Sequence, residues 1–148
     1  MKKIAFILVM IVSATPFAQD IHTKKGYAAE GYDVVAYFSN QALEGDTMNT
    51  TTYGGVKYKF ATAENIKTFI ANPEKYTPQY GGYCAYAVAD SGKRVQIDPE
   101  SFQIKDGKLY LFYDAFFSHT LKKWNEEGAD MMQIKADENW EKMQLEKN

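Results

Sequence analysis

The run FQIKDGKLYLFYD, positions 102–114, constrains this chain more than any other stretch. Two β-prone arms flank Asp106-Gly107, and a two-residue Asp-Gly link is a preferred connection for a tight hairpin. Such turns need positive φ, which Gly tolerates best. Ile104 and Leu109 therefore belong to neighbouring antiparallel strands. YGGVKYKF, 53–60, supplies another strand. Its Val56, Tyr58 and Phe60 alternate with Lys57 and Lys59, as a strand with one wet face requires.

Helical signals are interleaved with these strands. Thr62 can cap a helix whose Ile66, Phe69 and Ile70 form an apolar stripe, and Asn72-Pro73 ends it. Pro73 opens a short second turn that carries Tyr76 inward. Asp114 can cap a helix with Phe117, Leu121 and Trp124 at core spacing and Gly128 past its end. Met132, Ala136, Trp140 and Met143 share one face of a last helix.

The remaining segments read as follows. Residues 19–30 form an irregular lead-in, GYDVVAYF (31–38) is apolar and β-prone with Asp33 its one charge, and 39–51 is a polar loop. Residues 83–88 alternate as a strand, with Tyr83, Ala85 and Ala87 on one side and Cys84, Tyr86 and Val88 on the other. ADSGK then makes a turn, and Asp98-Pro99-Glu100 a turn with a helical start. Hairpin-like strands between helices point to an α+β fold, a small antiparallel sheet packed against several helices.

The 148 residues suit one domain. They open with Lys2-Lys3 and an apolar run from Ile4 to Val12, too short to cross a bilayer that needs about 20 residues. Small residues and Pro16 follow, so residues 1–18 read as a secretory signal peptide and 19–148 as the mature domain, with a core over about 26–145. Cleavage after Ala14 and retention as an uncleaved anchor are the alternatives. The expected location is periplasmic or otherwise exported, with no stable membrane insertion once the leader is removed.

Removing a leader with two lysines and no acids leaves 15 basic against 19 acidic residues, a formal charge of −4. That balance argues against nucleic acid as a partner, because phosphate neutralisation calls for a basic patch. A single cysteine excludes an intramolecular disulfide, so an apolar core must supply the stability. The 11 tyrosines fit that need, each bringing a large ring and a hydroxyl that wants a partner.

Metal ligation has little to work with. Cys84, His22, His119 and scattered methionines contain no zinc spacing, although Cys84 and His119 are candidates for a weak copper(I) site through a soft thiolate. Asp130, Asp137 and Glu138 lack the spacing of a calcium loop. Gly54-Gly55 and Gly81-Gly82 match no phosphate-binding fingerprint and read as turns. Cys84 is either a small buried hydrophobe, a ligand-associated thiol or a nucleophile. The last role needs a base such as His119 or His22 nearby.

Taken together, GYDVVAYF, the Phe60 strand with Ala63-Glu64-Asn65, Asn72-Pro73-Glu74-Lys75-Tyr76, Gly81-Gly82-Tyr83-Cys84, IDPESFQIKDGKLYLFYD and ADENW resemble the YHS domain proteins of bacterial envelopes. The resemblance runs from about Gly26 to Trp140. It implies a fold module more than a reaction. Relatives beside heavy-metal domains imply metal association. Their cysteine pattern is not matched here, where Ala61 and Thr62 follow the strand.

Two readings follow. In one, the chain is a non-enzymatic envelope protein that binds a small ligand, a metal ion or another envelope protein. Its site is aromatic-lined and near Cys84, with Tyr58, Tyr83, Tyr86 and Tyr113 as further candidates. In the other, it is a thiol-dependent enzyme or redox accessory using Cys84.

Overall fold

The computed structural model describes residues 20–147; the expected leader and its cleavage point lie outside the described residues. Residues 23–60 build a four-stranded sheet. β1 (Thr23–Lys24) and β2 (Tyr27–Ala28) form a small hairpin, β3 (Asp46–Tyr53) and β4 (Val56–Phe60) a longer one, in the order β1-β2-β4-β3. Pairing is antiparallel except where Tyr27 on β2 lies parallel opposite Lys57 on β4.

Helix α1 (Ala63–Ala71) crosses this sheet, and the Thr62 hydroxyl accepts from Asn65 N at 3.1 Å as its cap. Phe69 is buried against the rings of Tyr53, Tyr58 and Phe60. Burying such a ring contributes about 1.5–3 kcal/mol. Of the expected stripe, Ile66 is partly buried, whereas Ile70 is exposed. The one-turn α2 (Pro73–Tyr76) starts on Pro73 and buries Tyr76, as its sequence indicates.

A second layer follows. It contains α3 (Ala85–Ser91), the hairpin of β5 (Asp98–Lys105) and β6 (Lys108–Phe112), and a short hairpin of β7 (Asp114–Ala115) and β8 (Ser118–His119). The helices α4 (Thr120–Glu126) and α5 (Ala129–Leu145) complete it. Asp106 and Gly107 both take positive φ, and Ile104 pairs with Leu109. The Asp-Gly turn and its register are as the sequence requires. Strand β6 divides two apolar cores. Leu109 and Leu111 face a cluster with Tyr58, Phe60 and Phe69, while Tyr110 and Phe112 face Trp124, Val88, Met132 and Ala136. Period-2 alternation sends its residues to both sides, so the strand is wet on neither.

Several segments fold otherwise than their patterns suggest. Residues 23–28 pair as β1–β2 rather than lying irregular, and the polar stretch from Asp46 becomes the edge strand β3. GYDVVAYF is no strand, because Asp33 Oδ1 accepts from Val35 N and Ala36 N, which removes the donors a ladder would use. A turn of 3-10 helix, Ala36–Ser39, follows. The cysteine segment is α3, not a strand with a turn after it. Ala85, Val88 and Ala89 recur at helical spacing and are buried, and Gly92 closes the helix at positive φ. The short apolar run fits both periods, and its contact with α5 decides it.

Asp98-Pro99-Glu100 opens β5 at a bulge instead of starting a helix. Asp114 caps nothing and lies in β7, so Phe117 stands at a hairpin tip, 99% exposed, while Trp124 on α4 is fully buried. On α5, Met132, Ala136 and Met143 are buried and Trp140 is half-buried.

Candidate site, an aromatic trough beside the N-terminal arm

The segment after Pro78 has an unusual backbone. Tyr80, Gly81 and Gly82 take φ of 56°, 61° and 79°, three left-handed residues in a row. Glycine is required at 81, because a Cβ there would meet the Asp20 carbonyl oxygen at 1.9 Å. The N-terminal arm crosses at that point, and His22 N donates to Gly81 O at 2.8 Å. A bulky residue such as Tyr80 held at positive φ costs about 1–3 kcal/mol and persists only where its surroundings fix it. Here its ring leans on Tyr110 at 5.9 Å and on Trp140 at 6.2 Å, and its hydroxyl donates to Asp137 Oδ1 at 2.8 Å. Burial, then the bond to Asp137, drives its phenol well above the usual tyrosine range.

Tyr80 and Trp140 line an open trough of about 430 Å³, with Tyr53 and Pro78 beside them and Glu74, Asp137 and Glu141 on its rim. Among the described residues no lysine or arginine lines it. A smaller extension of about 220 Å³ shares Thr77, Pro78, Gly81 and Trp140 and reaches Asp20 and Gln144. Asp137, Trp140 and Glu141 stand at i, i+3 and i+4 on α5, so one helix face presents them together. A separate cleft of about 340 Å³ carries Lys24, Lys25, Glu30, Glu44 and Lys59. Its lysines outnumber its glutamates by one, and Lys24 Nζ lies 3.2 Å from Glu30 Oε1.

Cys84 does not line the trough. It is fully buried in the first core, immediately before α3, where its N–H donates to Val95 O at 3.0 Å and its carbonyl accepts from Val88 N at 3.1 Å. Its Sγ lies 3.4 Å from Thr120 Oγ1. Thr120 commits its own proton to Tyr113 O at 2.6 Å, which makes the thiol the donor of that contact. The hydroxyl next to the sulfur is no general base, and nucleophilic catalysis needs one. His119 is exposed, with Nδ1 2.6 Å from Asp114 Oδ1. Among the described residues no group of three or more His, Cys, Asp or Glu is placed to hold a metal ion. Cys84 is buried, whereas His119 is exposed and turned to Asp114.

The tyrosine candidates are scattered. Tyr58 is buried against Phe69, and burial pushes its phenol up to about 12, eased by the Thr77 side chain. Tyr83 donates to Asp20 Oδ1 at 3.2 Å and lies between His22 and Trp140. Tyr86 donates to Glu127 Oε1 at 2.8 Å, a bond that, with burial, raises its phenol to about 12. Tyr113 is half-buried and offers its backbone oxygen to Thr120. None of the four lines the trough. Tyr80 and Trp140, absent from that candidate set, do line it. The legible signal was the Asp137, Trp140, Glu141 face of a helix otherwise identified by its buried residues.

Compared with known proteins, the chain matches no family model, no curated protein and no solved structure. Among the described residues no helix is long and apolar enough to cross a membrane.

Proposed function

We propose that the chain is an exported, non-enzymatic binding protein of the YHS type, and that its ligand is a small organic cation held over Tyr80 and Trp140. The observation that carries this reading is an aromatic wall fixed by a strained tyrosine and flanked by three carboxylates, whose Trp140 already takes one cation, the Arg94 guanidinium 5.9 Å from its ring centroid. Aromatic faces attract cations through their quadrupole, by about 0.5–2 kcal/mol according to desolvation. The thiol-enzyme reading has less support, since Cys84 is buried with a threonine hydroxyl as its side-chain partner.

Calorimetric titration of the mature protein with choline, and with its uncharged carbon isostere, tests the proposal. Choline should bind saturably and the isostere more weakly, and Trp140→Ala should weaken choline about tenfold, within the cation–π range. Cys84→Ser should leave binding unchanged and cost about 1–3 kcal/mol of stability through a buried hydroxyl. Equal binding of charged and uncharged probes, or no effect of Trp140→Ala, would sink the reading. Rapid alkylation of Cys84 in folded protein would favour the thiol alternative instead.

A further inference from the structure

The three tyrosines of YGGYCAYA share one arrangement. Tyr80, Tyr83 and Tyr86 each donate a hydroxyl to a carboxylate from a different part of the chain: Asp137, Asp20 and Glu127. Two of these rings also touch Trp140, with centroids 6.2 Å away in both cases. From Tyr80 the ring contacts continue inward to Tyr110 at 5.9 Å and Trp124 at 5.6 Å. Electron transfer weakens steeply with separation, so rings in contact form the easiest route through a protein. Among the side chains that line the trough, indole and phenol are the ones able to give up one electron without breaking a bond between heavy atoms.

We propose that Trp140 and the Tyr80–Asp137 pair form a one-electron donor site for a diffusible one-electron oxidant. The oxidant gains an electron from the Trp140 indole, which is half-buried and lines both parts of the trough. The indole radical cation then takes an electron from Tyr80. As that electron leaves, the Tyr80 hydroxyl proton crosses the 2.8 Å hydrogen bond to Asp137, leaving a neutral phenoxyl radical and a protonated carboxyl. Asp137 is exposed, so the proton passes on to water. The net change is one electron to the oxidant and one proton to solvent.

The neighbouring rings are less suited to hold the oxidised state. The Tyr83 acceptor, Asp20, is also bound by Arg94, Gln144 and Lys147, and a proton placed on it would weaken all three contacts. The Tyr110 hydroxyl is buried and has no hydrogen-bond partner among the described residues, so its proton has nowhere to go. Tyr80 combines ring contact to Trp140 with an acceptor whose other side meets water. A proton acceptor within ordinary hydrogen-bond reach is the geometry that proton transfer requires. The relay does not depend on the trough holding a ligand.

Flash photolysis of the intact mature protein with ruthenium tris-bipyridine and persulfate tests it. The photogenerated ruthenium(III) complex is the oxidant, and transient absorption reads the indole and phenoxyl radicals. Wild type should show the indole radical decaying into phenoxyl, with slower conversion in heavy water. Tyr80→Phe should leave the indole radical long-lived. Asp137→Asn should do the same and abolish the solvent isotope effect. Trp140→Phe should remove the early indole signal and reduce phenoxyl yield. Because position 137 is exposed, Asp137→Asn decides the matter even if Tyr80→Phe does not fold. Phenoxyl formed with wild-type yield and isotope effect in Asp137→Asn would overturn the proposal. It would mean that oxidation reaches the other tyrosines without this pair.

Discussion

Asp33 and Asp20 are both buried carboxylates, and the molecule holds them in opposite ways. Asp33 is fully buried on the sheet side and, among the described residues, accepts from neutral donors. Val35 N and Ala36 N bond Oδ1, and Ala61 N and Asn65 Nδ2 bond Oδ2. Asp20 lies on the helical side and meets charge. Arg94 Nε donates to Oδ2 at 2.6 Å, Lys147 Nζ lies 3.2 Å from Oδ1, and Gln144 and Tyr83 donate as well. One carboxylate ties backbone to backbone within the sheet layer. The other fastens an N-terminal arm to α5 and to the loop after α3, beside the trough. The first joint is made by neutral donors, and the second, made partly by charge, responds to salt.

The largest expected effect is at the first joint. Asp33→Ala strands two buried and two part-buried donors, and unsatisfied buried groups cost about 1–3 kcal/mol each before relaxation. A loss of about 3–5 kcal/mol is expected, the upper range for one substitution. Asp33→Asn should lose about 2 kcal/mol, since its amide keeps the Oδ1 bonds but sets a donor against Ala61 N and Asn65 Nδ2. Urea unfolding at neutral pH measures both. If alanine and asparagine cost the same, the two oxygens do not divide the work as the geometry states.

Asp20→Ala should cost less, about 1.5–3 kcal/mol, because its partners can turn back to water. The Arg94 side chain is 32% exposed and that of Lys147 50%. A double-mutant cycle with Arg94→Ala should show strong coupling, since the two groups touch. Additive losses would deny that the arm is held by this contact. The same variants should raise amide exchange at His22, whose N–H bonds Gly81.

These two joints also mark how far the sequence could be read. The Asp-Gly hairpin, the Thr62 cap and the α5 face were legible because each is a local rule obeyed locally. Asp33 was visible as the one charge in an apolar run, but its bonds to Ala61 and Asn65 span 28 and 32 positions. No local rule reports them. Alternation in YCAYAV looked like a strand because a six-residue run fits either period, and packing against α5 lies some fifty residues away. Phe117 had core spacing with Leu121 and Trp124, yet the tight β7–β8 turn, with Phe116 at positive φ, throws it into solvent. Trough and arm meet through Gly81, whose need for glycine follows from Asp20, far off in sequence. The candidate site was therefore the least legible part.

Acid should probe the Asp20 joint more finely. Burial pushes the Asp20 carboxyl up, but its bonds to Arg94, Gln144 and Lys147 outweigh burial and hold it below the ordinary value. A lowered pKa in the folded state means that its stabilisation is complete above the unfolded value of about 3.9 and fades as pH falls through the folded one. The stability gap between wild type and Asp20→Asn should thus be constant from neutral pH to about 5 and shrink below about 4. Unfolding curves across that range test it. A gap that closes as pH rises would reverse the sign and exclude a depressed carboxyl.

The smallest effect belongs to Lys147. Its ammonium reaches Asp20 Oδ1 at 3.2 Å, but the side chain is half-exposed and close to the end of the described residues. Holding a long flexible chain in one geometry offsets most of the Coulomb gain at such a site, so exposed pairs contribute about 0–1 kcal/mol. Lys147→Gln should shift stability by no more than about 0.5 kcal/mol at low salt, and by less at high salt, where screening shortens the reach of the charge. Arg94→Gln, at the buried end of the same carboxylate, should cost several times more and depend less on salt. Paired thermal unfolding of the two variants at low and high salt decides between them. Equal losses, screened alike, would show that Asp20 is held by a diffuse positive field rather than by the Arg94 hydrogen bond.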